Sequence, residues 1–325
     1  MLPTSYGWTG VELFLLISGF VIHLGFLSGK KELNVSVFYS KRFWRIYPPY
    51  LIALLFFCFT GAGMPYYLYS HEGLKDLFTH LFLIHNLFDR YYFSINGVFW
   101  SLALEMQLYL IYPAFLLIRK KIGINKATII VLLIMPLSYS ATFFLMPGST
   151  LAQPNFVLNY WGIWCLGALL AEKYFNGETL FKKYRGVIAT IGFVAIVLAG
   201  YLVSPALSGV ISIIAWLAFF EWTLYAPINT KAYFFKILIA IGLCSYSIYL
   251  LHQPPLYKIL SWFNILGPKS YLAFLKTIPA FIIIFVISYL YYRIIELPSI
   301  KLGYYFRRKT NPKSTVQLKN KQQTD

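Results

Sequence analysis

The chain has 325 residues, 59% of them hydrophobic, 20% aromatic and only 12% charged, with a formal net charge of +17. That balance excludes an ordinary soluble domain, whose polar surface has to cover its apolar core. It does not point to nucleic acid either, because Lys and Arg are concentrated in short segments between apolar runs and in the C-terminal tail, where basic residues mark the cytoplasmic side of a membrane protein.

In chain order, the apolar runs Val11–Leu27, Phe99–Ile118, Ala127–Met146, Phe156–Ala171, Val187–Val203 and Tyr271–Tyr292 carry few or no charges. Each has roughly the length at which a helix crosses a hydrocarbon core. Period-2 alternation is not sustained anywhere, so the expected fold is all-α, a polytopic transmembrane helix bundle rather than a barrel. Cys58, Cys165 and Cys244 sit inside apolar stretches without CxxC or ligand spacing and are expected to be core residues, with no disulfide and no metal.

Basic clusters at Lys30–Arg45, Arg119–Lys126, Lys173–Arg185, Lys231–Lys236 and Arg293–Lys321 are placed in the cytoplasm. The uncharged loop 147–156 and the short turn 204–208 then face outward. Leu77–Phe88 is apolar but only about 12 residues long, marginal for a span. If it crossed, Arg119, Lys120 and Lys121 would lie outside. Residues 77–97 are therefore expected to form a re-entrant or interfacial segment beside about nine spanning helices. This parity puts Met1 outside, as though one upstream helix were missing. The expected organisation is one membrane-embedded domain over residues 1–308 and a polar cytoplasmic tail over 309–325, disordered by composition.

Several polar residues stand out against this background. Glu105 lies inside a span, where a carboxylate is costly unless it faces a wet cavity or a partner. Ser101, Glu105, Tyr109 and Tyr112 recur at helical spacing, giving a stripe fit to orient a sugar hydroxyl or a histidine, or else an inter-helix hydrogen-bond staple. Ser245, Tyr249 and His252 form a second stripe expected to face the bundle. His252 reads either as a base toward an acceptor hydroxyl or as a histidine bonded to a carbonyl. Glu12 reads either as a capping carboxylate at its helix N-terminus or as a group that orients a catalytic histidine. His23 reads as an interface residue, and His71, His80 and His85 lack convincing metal spacing. Lys41, Arg42 and Arg45 precede Pro48–Pro49, with the two arginines expected to project together from a short amphipathic helix. Phosphates suit them, as does anchoring at lipid headgroups.

Four segments, in order, carry a family resemblance: Gly10 to Ile22 with the basic run Phe38 to Tyr50; Trp100-Ser101-Leu102-Ala103-Leu104-Glu105 through Pro113; Ser245-Tyr246-Ser247-Ile248-Tyr249-Leu250-Leu251-His252; and Glu296-Leu297-Pro298. Together they resemble the acyltransferase-3 family of bacterial membrane O-acyltransferases. The resemblance implies transfer of an acyl group, usually acetyl from cytoplasmic acetyl-CoA, to a hydroxyl of an envelope saccharide or glycolipid such as lipopolysaccharide. It also implies residence in the bacterial inner membrane among lipids, with no nucleic acid partner and no metal. On that reading Glu105, Glu12 and His252 are catalytic candidates. Trp100, Ser101, Tyr109, Ser245 and Tyr249 are candidates for binding the substrate, and Lys41, Arg42 and Arg45 for the phosphates of acyl-CoA. The family's first helix, with an Arg and a His about ten residues later, is expected to lie upstream of this chain, which is then either mis-started or a truncated, inactive relative. A polytopic transporter or flippase is the alternative of a different class, since buried carboxylates and histidines also mark substrate pathways.

Overall fold

A computed structural model describes residues 9–29, 33–60, 63–202, 205–227, 233–262 and 277–310. Every regular element among the described residues is helical. In chain order these are α1 (Gly10–Ser28), α2 (Val35–Phe59), α3 (Met64–Tyr69), α4 (His71–Leu81), α5 (Phe99–Ile122), α6 (Ile124–Leu145) and α7 (Val157–Phe175). They are followed by α8 (Arg185–Leu202), α9 (Pro205–Tyr225), α10 (Tyr233–Leu243), α11 (Ser245–Leu251), α12 (Gln253–Trp262), α13 (Ile278–Tyr291) and α14 (Leu297–Thr310). A π-helical turn, Tyr292–Glu296, joins the last two.

Five described helical stretches are long and apolar enough to cross a membrane: Gly10–Ser28, Phe99–Ile122, Ile124–Leu145, Ser208–Tyr225 and Ile278–Lys309. The pair α10 and α11, bent by 58° at Cys244, makes up to six if it is one broken span. Their apolar character is not confined to one face: Leu133, Leu137, Phe143 and Phe144 of α6 are all more than 60% exposed, a surface that suits lipid rather than water. The chain is therefore an integral membrane protein. The expected runs at 156–171 and 187–203 fold as α7 and α8, the latter described as far as Leu202. The expected re-entrant segment over 77–97 contains the end of α4 and two single-turn 3-10 helices, His85–Leu87 and Asp89–Tyr91, none long enough to span. Helix α14 continues to Thr310, and the rest of the expected tail, from 311, lies outside the described residues.

The chain forms two compact units. The first comprises Met1–Leu33, Asn86–Asp89 and Ser101–Ile228; the second comprises Asn34–His85, Arg90–Trp100 and Asn229–Asp325.

In the first unit α1 packs against α7 and α9, α6 against α7, and α8 against α9. Glycine permits the closest of these approaches. A β-carbon on Gly19 would lie 2.0 Å from the Trp164 carbonyl oxygen, and one on Gly167 would lie 2.0 Å from that of Leu16. Small residues are what let membrane helices meet backbone to backbone. Asp89 closes the loop after α6. It accepts from the Ser149 hydroxyl (2.6 Å) and from the backbone N–H groups of Thr150 (2.6 Å) and Ala152 (2.8 Å). Burial alone would raise this carboxyl; the bonds from Ser149 and from the Ala152, Thr150 and Leu151 amides outweigh it and hold Asp89 at about 2.

In the second unit α14 lies along α2, with Trp44 stacked on Phe306 at 5.3 Å and Gly303 fitted under Trp44. Here one expectation is corrected. The basic segment does not sit on a short helix ending before Pro48–Pro49, because α2 runs through both prolines as one helix of 25 residues. Pro48 cannot donate to the Trp44 carbonyl four residues back; the Ser299 hydroxyl donates to it instead. The Pro49 carbonyl also receives the Tyr291 hydroxyl, so α13 and α14 both bond to α2 beside its prolines, and Ser299 fills the place of a missing ladder donor.

Candidate active site

The first unit holds a polar cluster within otherwise apolar helices. Glu105, on α5, accepts from the Ser18 hydroxyl of α1 (2.8 Å) and from the Tyr109 hydroxyl one turn along α5. Ser18 also lies 3.2 Å from the Tyr109 hydroxyl and accepts from the Trp164 indole of α7 at 3.3 Å. All four are buried, as is Ser101. The predicted stripe on α5 is therefore real: Glu105 and Tyr109 bond each other along it, while Tyr112 reaches a different partner.

That partner is His23. Its Nδ1 lies 3.0 Å from the Tyr112 hydroxyl and its Nε2 lies 3.0 Å from Glu172, which also takes the Arg119 guanidinium. A carboxylate can only accept, so Nε2 carries the proton and, in the neutral ring, Nδ1 accepts from Tyr112. His23, itself fully buried, joins α1, α5 and α7 through partners that reach the partly exposed Glu172 and Arg119. Glu12, in the first turn of α1, is met by the Ser212 hydroxyl of α9. This favours neither of its two readings over the other, although no side chain caps the helix at Thr9.

In the second unit the Tyr249 hydroxyl donates to the Val98 carbonyl, and Asn96 donates to the Leu250 carbonyl at 2.9 Å. The His252 Nδ1 lies 2.9 Å from the Tyr249 carbonyl. His252 is therefore bonded to a carbonyl of its own helix, and its Nε2 is the accepting nitrogen of the neutral ring. Trp100 stacks on Tyr92 at 5.4 Å. The inward face of α11 carries Ser247, Leu250 and Leu251, whereas Ser245, first residue after the bend at Cys244, stands exposed. The second stripe thus lies on the less buried side of its helix, and the buried serine, Ser247, donates to Glu296 in the π-helical turn at 2.5 Å.

Lys41 and Arg45 are exposed near the start of α2, and Arg42 lies over the Phe38 ring at 4.8 Å. Lys41 is held below the usual lysine range by partial burial and by the positive charges of Arg307 and Arg42. This positive patch suits an anion, and α14 contributes to it. Among the described residues no three His, Cys, Asp or Glu side chains are grouped to hold a metal ion.

Ser18, Trp164, Glu172, Ser247 and Glu296 were not singled out by sequence reasoning as site residues. Ser18, Ser247 and Glu296 lie within the segments that carry the resemblance; Trp164 and Glu172 have no local signal, since their partners come from distant helices.

Among curated proteins, the chain is 25% identical to the peptidoglycan O-acetyltransferase OatA of Listeria monocytogenes over 93% of its own length and 53% of that protein. It is 27% identical to the ORF330 protein of Acidianus two-tailed virus over 63% of its length and 59% of that protein. An uncharacterized protein of Haemophilus influenzae is 28% identical over 45% of the chain and 65% of that protein. The chain thus spans between about half and two thirds of the length of these relatives. No solved structure matches it. Residues 7–293 match the family described as the acyltransferase domain, so the match runs through α1, the Glu105 cluster, both stripes and the basic start of α2. This chain belongs to the acyltransferase-3 family.

Proposed function

We propose that the protein is a membrane O-acyltransferase that moves an acyl group, acetyl in the simplest case, from acyl-CoA to a hydroxyl of a cell-envelope saccharide. The observation that carries this reading is the buried Ser18–Glu105–Tyr109 cluster within the segment matched to the family. A carboxylate placed inside a spanning helix and supplied with hydroxyl donors is the kind of polar floor against which a sugar hydroxyl is oriented. In the second unit, His252, with its Nε2 as acceptor, and the half-buried Tyr249 are candidates of their own for binding a substrate hydroxyl. Lys41, Arg42 and Arg45 supply charge for the phosphates of coenzyme A, with the thioester as donor.

In the reaction a base takes the proton of the acceptor hydroxyl, the oxygen attacks the thioester carbonyl, and the C–S bond breaks to release coenzyme A. The likeness to OatA makes a peptidoglycan sugar the first acceptor to try, ahead of lipopolysaccharide. The inner membrane of a bacterium is the setting in which cytoplasmic acyl-CoA and an envelope acceptor meet. The test is reconstitution of the full chain in lipid vesicles with labelled acetyl-CoA and muropeptide or lipopolysaccharide acceptors. Label transferred to one of them supports the reading; hydrolysis of acetyl-CoA without transfer to any hydroxyl contradicts it.

A further inference from the structure

Within the second unit, α13 and α14 run antiparallel to α2. The Tyr291 hydroxyl meets the Pro49 carbonyl, the Ser299 hydroxyl meets the Trp44 carbonyl, and the Phe306 ring stacks on Trp44 at 5.3 Å. Gly303 sets how closely the helices approach, since a β-carbon there would lie 2.4 Å from Trp44. Lys41 precedes Trp44 by three residues and Arg307 follows Gly303 by four, spacings that keep each on the side of its helix turned to the other. One turn beyond the contact of Trp44 with Gly303, the antiparallel register therefore brings Arg307 beside Lys41.

Three positive charges meet at this seam. Arg42 lies over the Phe38 ring at 4.8 Å, and Lys41, besides being partly buried, feels the charges of both Arg307 and Arg42. Neither α2 nor α14 contains an Asp or Glu. Arg45, one turn further along α2, lies within electrostatic reach of Glu296. Basic residues at a helix end are ordinary at a membrane surface, where they spread into solvent. Here Arg307 is half-buried and its neighbours across the seam carry the same sign, an arrangement that costs stability until an anion joins it.

We propose that Arg307 completes, with Lys41 and Arg42, a site for a phosphate monoester. Converging cations suit a dianion, and a monoester carries about 1.5 to 2 negative charges at neutral pH where a phosphodiester carries a single one. A guanidinium at the seam presents its N–H groups as a fixed fork, which matches phosphate oxygens better than an ammonium does. Acyl-CoA carries one such monoester, its 3′-phosphate. That choice of occupant rests on the acyltransferase reading, whereas the site itself does not. Phosphatidic acid offers the same chemistry from the lipid side. The basic residues thereby divide: Lys41, Arg42 and Arg307 hold the terminal phosphate, and Arg45 stays with Glu296.

Calorimetric titration of the full chain in phosphatidylcholine nanodiscs with coenzyme A and with 3′-dephospho-coenzyme A tests the site without turnover. Wild type is expected to bind coenzyme A at least about tenfold more tightly, the worth of one charge-assisted bond. Arg307→Gln is expected to cut that preference below about threefold while its affinity for the dephospho form stays within about twofold, which also shows that the variant is folded. Lys41→Gln, at an exposed position, is expected to act the same way and decides the matter if Arg307→Gln binds neither form. Lys301→Gln removes an exposed charge from the same helix and is expected to keep the full preference; an equal loss there reduces the effect to general charge and overturns the site. For the lipid source, native mass spectrometry reads the phosphatidic acid retained by the purified chain. Lipid retained by wild type and lost from Arg307→Gln, with no preference between the two coenzyme forms, keeps the site and assigns it to a headgroup. No preference in either arm overturns it. A chain that shows the coenzyme preference yet transfers to no acceptor keeps the site and loses the acyltransferase reading.

Discussion

The Ser18 hydroxyl donates to Glu105 over 2.8 Å while accepting the Trp164 indole N–H at 3.3 Å, so a single oxygen joins α1, α5 and α7. Ser18→Ala removes one donor from a buried carboxylate and leaves the indole without that partner. Losing such a bond costs about 1–3 kcal/mol. The variant is expected to melt several degrees lower in detergent and to transfer acyl groups about tenfold more slowly. An unchanged melting curve and rate mean that the hydroxyl is dispensable to the cluster.

Gly19 gives a sharper test of how α1 meets α7. Gly19→Ala places a carbon 2.0 Å from the Trp164 carbonyl oxygen, which is backbone and cannot turn aside. The helices must part, at a cost of about 1–3 kcal/mol or more. Gly25→Ala is the control, since nothing lies within 4 Å of a β-carbon there; its stability is expected to match or slightly exceed wild type. Equal melting temperatures for the two variants contradict the backbone contact.

Asp89 predicts a pH dependence. Its folded value of about 2 lies below the ordinary 3.8, so the stability it contributes is fully present above about pH 4 and is lost as the pH falls through about 2. The group is partly exposed, and solvent screening reduces the contribution to about 1 kcal/mol. The melting temperature of Asp89→Asn is expected to lie below wild type at pH 7, with the gap closing toward pH 2. A gap that stays constant with pH means that the charge of Asp89 does not hold the 149–152 loop.

Arg42→Ala with Arg45→Ala is expected to raise KM for acyl-CoA about tenfold and to leave KM for the acceptor within a factor of two. Equal effects on both substrates place these arginines away from the donor phosphates.

Hydropathy read the helical class and the positions of α1, α5, α6, α7 and α8 to within a few residues, because an apolar run long enough to cross lipid has few other ways to fold. It misread α2. Pro48–Pro49 signals a break, and the donor that replaces the missing N–H of Pro48 comes from Ser299, more than two hundred residues away. Spacing along one helix paired Glu105 with Tyr109. It did not reveal Ser18, or the Glu172 that holds His23, because which helices touch is not written in their periodicity. Asp76 and His80, four residues apart, meet as the same spacing rule allows.

The central claim is that the Glu105 cluster serves acyl transfer, and the most direct measurement is the rate for Glu105→Gln in reconstituted vesicles beside its melting temperature. The amide keeps the size of the side chain and part of its hydrogen bonding, so the protein is expected to stay folded in the membrane while acyl transfer is abolished. Wild-type transfer by a folded Glu105→Gln protein would contradict the claim and leave the cluster as a structural staple between helices.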